Sequence, residues 1–167
     1  MPKGVGERKY QVVAREDVSG WSEARAIIKA NAQTVADFPK DDVFARHGCP
    51  TSIIGDGGSE NRGEVDIICH QLGVKKHMMT AYHPQAEVVV ERGHKQLIDG
   101  LSKPCSGKSP AKWPQYLNDV LWVDQITVRK STGFSPFEIV YGRKCLHPIE
   151  IIFSTWQTIE AHELRTT

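Results

Sequence analysis

Two carboxylates in this chain stand where they could hold a hard metal ion. Asp56 leaves a short apolar run, Ser52-Ile53-Ile54, and enters a glycine turn at Gly57 and Gly58. Glu91 lies in VVVERGHK, a segment of helical character. One carboxylate from a strand end and one from a helix are donors that Mg²⁺ takes in phosphoryl-transfer chemistry, because that ion prefers oxygen ligands and keeps several waters. Each also has a plainer reading, Asp56 as a turn former and Glu91 as a solvated helix carboxylate. Glu60 and Asp66 read as surface positions. The pairs His47-x-Cys49, Cys69-His70 and Cys145-x-His147 lack the C-x₂₋₄-C and H-x₃₋₅-H spacings of zinc sites, so buried thiols and surface imidazoles are expected there. Trp113, Trp122 and Phe137 read as core or subunit interface rather than as platforms for stacked bases.

The elements that would position these groups follow from periodicity and punctuation. Pro2, Gly4 and Gly6 mark residues 1–8 as loop, and KYQVVA (9–14) alternates as a strand. DVSG (17–20) turns the chain, and WSEARAII (21–28) returns as the second arm of a hairpin. Residues 31–47 carry a helical face of Val35, Phe38, Val43 and Phe44, with a kink or break expected near Phe38 because Pro39 removes a backbone donor. A strand is expected over 51–55, then a helix over 64–72 with Val65, Ile68, Cys69 and Leu72 inward. A further strand is expected over 74–79. TAYHPQ (80–85) reads as a loop, residues 87–102 as a helix facing inward with Val90, Leu97, Ile98 and Leu101, and 103–110 as a linker. Residues 113–128 form another helix, with Leu117, Val120, Leu121 and Val128 inward. Ser135-Pro136 opens a short one to Tyr141. Residues 149–153 read as a strand or an extended tail. A hairpin followed by alternating helices and strands indicates an α/β domain with a mixed sheet.

Bulk properties bound the chain without deciding its function. With 167 residues it fits one domain with a real core, and 40% hydrophobic with 25% charged residues is a globular profile. A net charge of +1 gives no global basic signature, although the second half is slightly basic and the first slightly acidic. No run is long enough to span a bilayer and no signal-peptide pattern is found, so no membrane partner is expected. Four scattered cysteines without CxxC read as reduced thiols of an intracellular protein.

RKYQVVAREDVSGWSEARAI, IIGDGGSEN, TAYHPQ…VERGHKQLIDGLSK and STGFSPFEIVYGRKCLHPIEI together resemble the integrase catalytic core of Ty3/gypsy-type LTR retrotransposons, relatives of retroviral integrases. The resemblance covers almost the whole chain. It implies a ribonuclease-H-like mixed sheet flanked by helices, over residues 1–150, with 151–167 as a tail leading out of the core. It also implies divalent metal, Mg²⁺ or Mn²⁺, held by two Asp and one Glu, with DNA as partner, a homo-oligomeric assembly and action in the nucleus. Asp56 matches the second family Asp and Glu91 the family Glu, as catalytic and metal-binding residues. Tyr82, His83, Pro84 and Gln85 match the active-site loop. Lys95 shares a helix face with Glu91 and is placed to meet a phosphate, with Arg92 and His94 as neighbouring DNA-binding candidates.

The chain departs from the pattern in three ways. The family's first Asp belongs to a strand before the segment matching Met1–Lys9, and Asp17, in the hairpin turn, is no substitute. Glu87 and Val88 replace the usual Asn-Gly, which stiffens the loop. Pro39 interrupts a helix. The expectation is therefore a truncated core without its first strand, whose strand transfer is lost as the chain stands. The alternatives are a non-enzymatic DNA-binding or dimerising remnant and an unstable fragment.

Overall fold

The computed structural model describes residues 2–55, 58, 63–78, 84–106 and 110–147, with the backbone alone for 84–93. Strands β1 (Tyr10–Arg15) and β2 (Ser22–Ile27) form the expected hairpin, antiparallel, with Tyr10 opposite Ile27 and Arg15 opposite Ser22. Glu16 closes the turn: its carboxylate accepts from the Val18 amide and from the amide and hydroxyl of Ser19. Strands β3 (Ser52–Gly55) and β4 (Lys75–Met78) pair in parallel, Ser52 beside Lys75 and Gly55 beside Met78. The parallel pair needs a crossover, supplied by helix α3 (Glu64–Gln71), which Gly73 ends at φ +69°.

Both pairings of a mixed sheet are thus present, but as two separate two-stranded ribbons. In an antiparallel ladder alternate residues bond the partner strand. Glu16 donates to Trp21 O, so the register turns Tyr10, Val12 and Ala14 toward β2 and Gln11, Val13 and Arg15 toward the free edge. Lys75 donates to Thr51 O, which in the same way leaves Ser52 and Ile54 of β3 facing away from β4. Both outer edges of each ribbon, those of β1 and β3 included, therefore lack a strand partner among the described residues. The Gln11 side-chain amide is buried with neither its nitrogen nor its oxygen bonded.

Two apolar clusters sit on opposite sides of the hairpin. Val35, Ala36, Phe44, Val65, Cys69 and Val74 form one, with Val12 of β1 and Ile53 of β3 packed against it. Leu97, Leu101, Trp113, Leu117 and Leu121 form the other, with Val13, Ala24 and Ala26 against it. Adjacent residues of one strand reach opposite clusters, as the period of two requires.

Several boundaries differ from the periodicity. Asn31 caps α1 (Ala32–Phe38) by accepting from the Thr34 amide. Beyond Phe38 the chain stays helical, widening into a π-type stretch, Pro39–Phe44, before a last turn, Ala45–His47, named α2. Pro39 lacks the N–H that would bond back to α1, and the chain passes it by widening into the π-type stretch rather than by leaving the helix. Helix α4 runs Pro84–Cys105, longer than expected at both ends. Pro84 pre-sets the helical φ of the first turn, and Lys103-Pro104-Cys105 belong to the last turn instead of a linker. Helix α5 is Trp113–Ile126 and α6 is Pro136–Tyr141. Leu72, Ile98, Trp122 and Val128, read as inward or interface positions, are exposed. For Val128 the reason is plain, since α5 ends two residues earlier. Residues 2–8 are docked, because Trp113 Nε1 donates to Pro2 O at 3.0 Å and Gly4 lies where a Cβ would meet Pro114 at 2.6 Å. Residues 149–153 and the tail 151–167 lie outside the described residues.

Candidate active site

Strand β3 and helix α4 are the two elements that carry the candidate carboxylates. β3 is held by β4 on one side and by Ile53 packing on the first apolar cluster, and it ends at Gly55 immediately before Asp56. Asp56, Tyr82 and His83 lie outside the described residues. Glu91 falls within α4, as do Gln85 and Arg92; the helix is there as expected, while these three side chains lie outside the described residues. The separation of the Asp56 and Glu91 carboxylates therefore falls there too. His94 and Lys95 are exposed on α4, Lys95 one turn beyond Glu91 on the same face.

The aim of α4 is set by its buried stripe. Leu97 and Leu101, 0% and 2% exposed, pack against Trp113, Leu117 and Leu121. Gly100 allows the approach, because a Cβ there would lie 2.7 Å from Val120 Cγ1. Gln96 fixes the rotation further by accepting from Arg129 Nη1 at 2.7 Å.

A buried polar cluster fastens α5 to the hairpin. Asp124 Oδ2 takes Arg15 Nη2 at 3.2 Å, Arg129 Nη2 at 2.8 Å and Ser22 Oγ at 3.1 Å. Burial pulls the Arg15 guanidinium below its ordinary pKa, and the adjacent Asp124 charge opposes that pull. A second network ties the α1–α2 arm to β2. Asp42 accepts from Arg25 Nε at 2.6 Å and Arg46 Nη2 at 2.8 Å, while Glu23 takes Arg46, His47 and the Trp21 indole. The hydrogen bond to Asp42 raises the Arg25 pKa. Trp21 also meets Tyr141 edge to face at 5.7 Å, bringing α6 onto the same corner. Apart from the i,i+4 pair Asp42–Arg46, neither network was legible in the sequence, because the partners lie on different elements.

Among the described residues no three His, Cys, Asp or Glu side chains come together as a metal site. Asp56 and Glu91 carry hard oxygen donors of the kind Mg²⁺ and Mn²⁺ prefer, and both side chains lie outside the described residues. Of the four free cysteines, Cys69 is buried in the first cluster, and that burial raises its thiol pKa and keeps it protonated.

No family model matches the chain. It is 31% identical over 140 residues, 83% of its length, to the Gag-Pol polyprotein of avian reticuloendotheliosis virus. To the retrovirus-related Pol polyprotein from transposon 412 of Drosophila melanogaster it is 26% identical over 163 residues, 92% of its length. It spans only 12% and 13% of these two relatives. In structure it resembles the catalytic core domain of BIV integrase, with TM-score 0.65, 24% identity, and 83% of this chain and 89% of that one covered. It also resembles the HTLV-2 integrase catalytic core in complex with magnesium, with TM-score 0.66, 19% identity and coverage of 81% and 88%. These two likenesses establish the ribonuclease-H-like fold.

Proposed function

The chain belongs to the retroviral integrase superfamily, as a catalytic-core segment of an LTR retroelement, and we propose that it is a core of the Ty3/gypsy type that binds DNA but does not join it unaided. The observation that carries this reading is the pairing of elements: a parallel strand ending at Gly55, just before Asp56, and a long helix bearing Glu91 and Lys95. Similarity to Pol polyproteins over most of the chain supports DNA integration as the process concerned.

In this reading Asp56 and Glu91 orient a divalent cation, and Lys95, with His94 and Arg92 beside it, holds a DNA phosphate against the α4 face. The cation, when bound, supplies charge neutralisation at the attacking and leaving oxygens of phosphoryl transfer. Two carboxylates suffice to hold one such ion with its waters, whereas a two-metal clamp calls for a third carboxylate that bridges. The edges of β1 and β3, unpaired among the described residues, leave room for a further strand, the kind of element that would bring a third carboxylate to the site. Assembly into a homo-oligomer and action on nuclear DNA belong to the same proposal.

Binding of a labelled DNA duplex over a salt series is the first test. A line of negative slope in log K against log salt is expected, because phosphate contacts release counterions. Absence of binding at low salt sinks the reading. A cooperative melting transition is also expected, and its absence would favour the unstable fragment.

A further inference from the structure

The β3–β4 ribbon has one face on the apolar core and one face open. Alternation sends Ile53 and Lys76 inward, where Lys76 Nζ meets Asp66 Oδ1 at 2.6 Å and its side chain is 9% exposed. The same alternation sends Ser52 and Ile54 of β3, with Lys75 and His77 of β4, to the other side, and all four are exposed. Thr51, Ser52, Gly73, Lys75 and His77 line an open depression of about 470 Å³ on that side. No hydrogen bond or ion pair occupies the side chains of Thr51, Ser52, Lys75 or His77, and among the described residues no carboxylate lines the depression. Of two adjacent lysines, one is thus neutralised against the core and the other stands unpaired beside an imidazole and two hydroxyls.

We propose that this depression, lined by Thr51, Ser52, Lys75 and His77, binds the phosphodiester backbone of DNA as a contact separate from the α4 face. An ammonium supplies a point charge, and hydroxyls and a ring N–H supply donors, which is the usual composition of a backbone contact. Among the described lining residues no carboxylate stands to repel a phosphate. The location fits as well. β3 runs from Ser52 to Gly55, three residue steps or about 10 Å of strand, and Asp56 follows in the chain, so a strand of DNA lying along this face runs toward the end of β3 that precedes Asp56. The contact carries no base-reading geometry, and it adds affinity and register rather than sequence preference. This inference rests on the DNA-binding reading above.

The test uses the full chain, a fluorescein-labelled DNA duplex and a salt series, with Lys75→Gln, the pair Lys75→Gln/His77→Gln, and Lys112→Gln as an exposed-lysine control. All variants should melt at the parental temperature, since none of these side chains is in the core. The expected result is a severalfold loss of affinity in Lys75→Gln, equal across unrelated duplex sequences, with the salt slope reduced by about one. The pair should lose more, and the control nothing. A parental slope and affinity in the pair overturns the inference and leaves the integrase reading standing, whereas a parent that binds no duplex overturns both. Inorganic phosphate forms a separate arm. If millimolar phosphate binds the parent but not the pair, while the pair keeps the parental duplex affinity and salt slope, the depression is a free-anion site, and the backbone assignment falls.

Discussion

Replacing Asp124 by alanine is the most demanding test of how the site's scaffold is held. Three donors converge on Asp124 Oδ2: Arg15, Arg129 and the fully buried Ser22. Side-chain exposures of 11%, 8% and 15% for Arg15, Asp124 and Arg129 leave little water to take over. Arg129 would keep its bonds to Gln96 Oε1 and the residue-124 carbonyl, but both are neutral acceptors, and Arg15 Nε and Arg129 Nε are buried without partners. Neither arginine can shed its proton to escape. Removing the one carboxylate leaves two like charges facing each other in a low dielectric, which costs about 3–5 kcal/mol. Against a total stability of about 5–15 kcal/mol, that is a large fraction. For a chain of this size it lowers the melting temperature by about 6–20 °C. Urea denaturation followed by circular dichroism reads it directly. Replacing all three together, as Arg15→Met/Asp124→Leu/Arg129→Met, should recover most of the loss, since an apolar substitute for a buried ionic cluster is often neutral. A loss below about 1 kcal/mol for Asp124→Ala would refute the reasoning and place these charges effectively in solvent.

Three further outcomes follow from the same geometry. Gly100→Ala should destabilise by about 1–3 kcal/mol despite alanine's better helix propensity, because its Cβ meets Val120 at 2.7 Å; a rise in melting temperature would contradict the close approach of α4 and α5. Ser135→Ala should cost about 1 kcal/mol in urea titration, as it removes the N-cap of α6, in which Ser135 Oγ accepts from the Glu138 amide at 3.2 Å. The same box sets a pH dependence. The amide and hydroxyl of Ser135 hold the Glu138 carboxyl below its usual pKa, so its contribution is complete above the ordinary carboxylate range and is lost as pH falls through the lowered value. Glu138→Gln should flatten the acid limb of melting temperature against pH, and an unchanged limb would count against it.

The parts legible in the sequence were those written in short-range pattern. Alternation in KYQVVA, the DVSG turn and the Ser135-Pro136 start all correspond to elements of the structure. The apolar clusters follow from 3.6-residue periodicity where the faces are regular, as at Val65 and Cys69 or at Leu117 and Leu121. Pattern failed where tertiary context decides. Ile98 carries the periodicity of Leu97 and Leu101 yet faces outward, whereas the kink or break expected near Phe38 falls where α1 gives way to the wider stretch at Pro39. Of the candidate site, the strand that precedes Asp56 and the helix that bears Glu91 were legible, while the two carboxylates themselves lie outside the described residues. What local pattern leaves out is the long-range charge pairing: Arg15 with Asp124 and Glu23 with His47 join residues from different elements. The open cationic face of β4 was readable in principle, since KKHM alternates, but only the structure tells which lysine is paired.

Metal-dependent joining of labelled DNA ends to a target duplex tests the central claim most directly, with Mg²⁺ and Mn²⁺ in separate reactions. The account predicts DNA binding without joined product above background, in the parent and in Glu91→Gln alike. Joined product from the parent that disappears in Glu91→Gln would contradict it, and would show that Asp56 and Glu91 complete a working site in this chain.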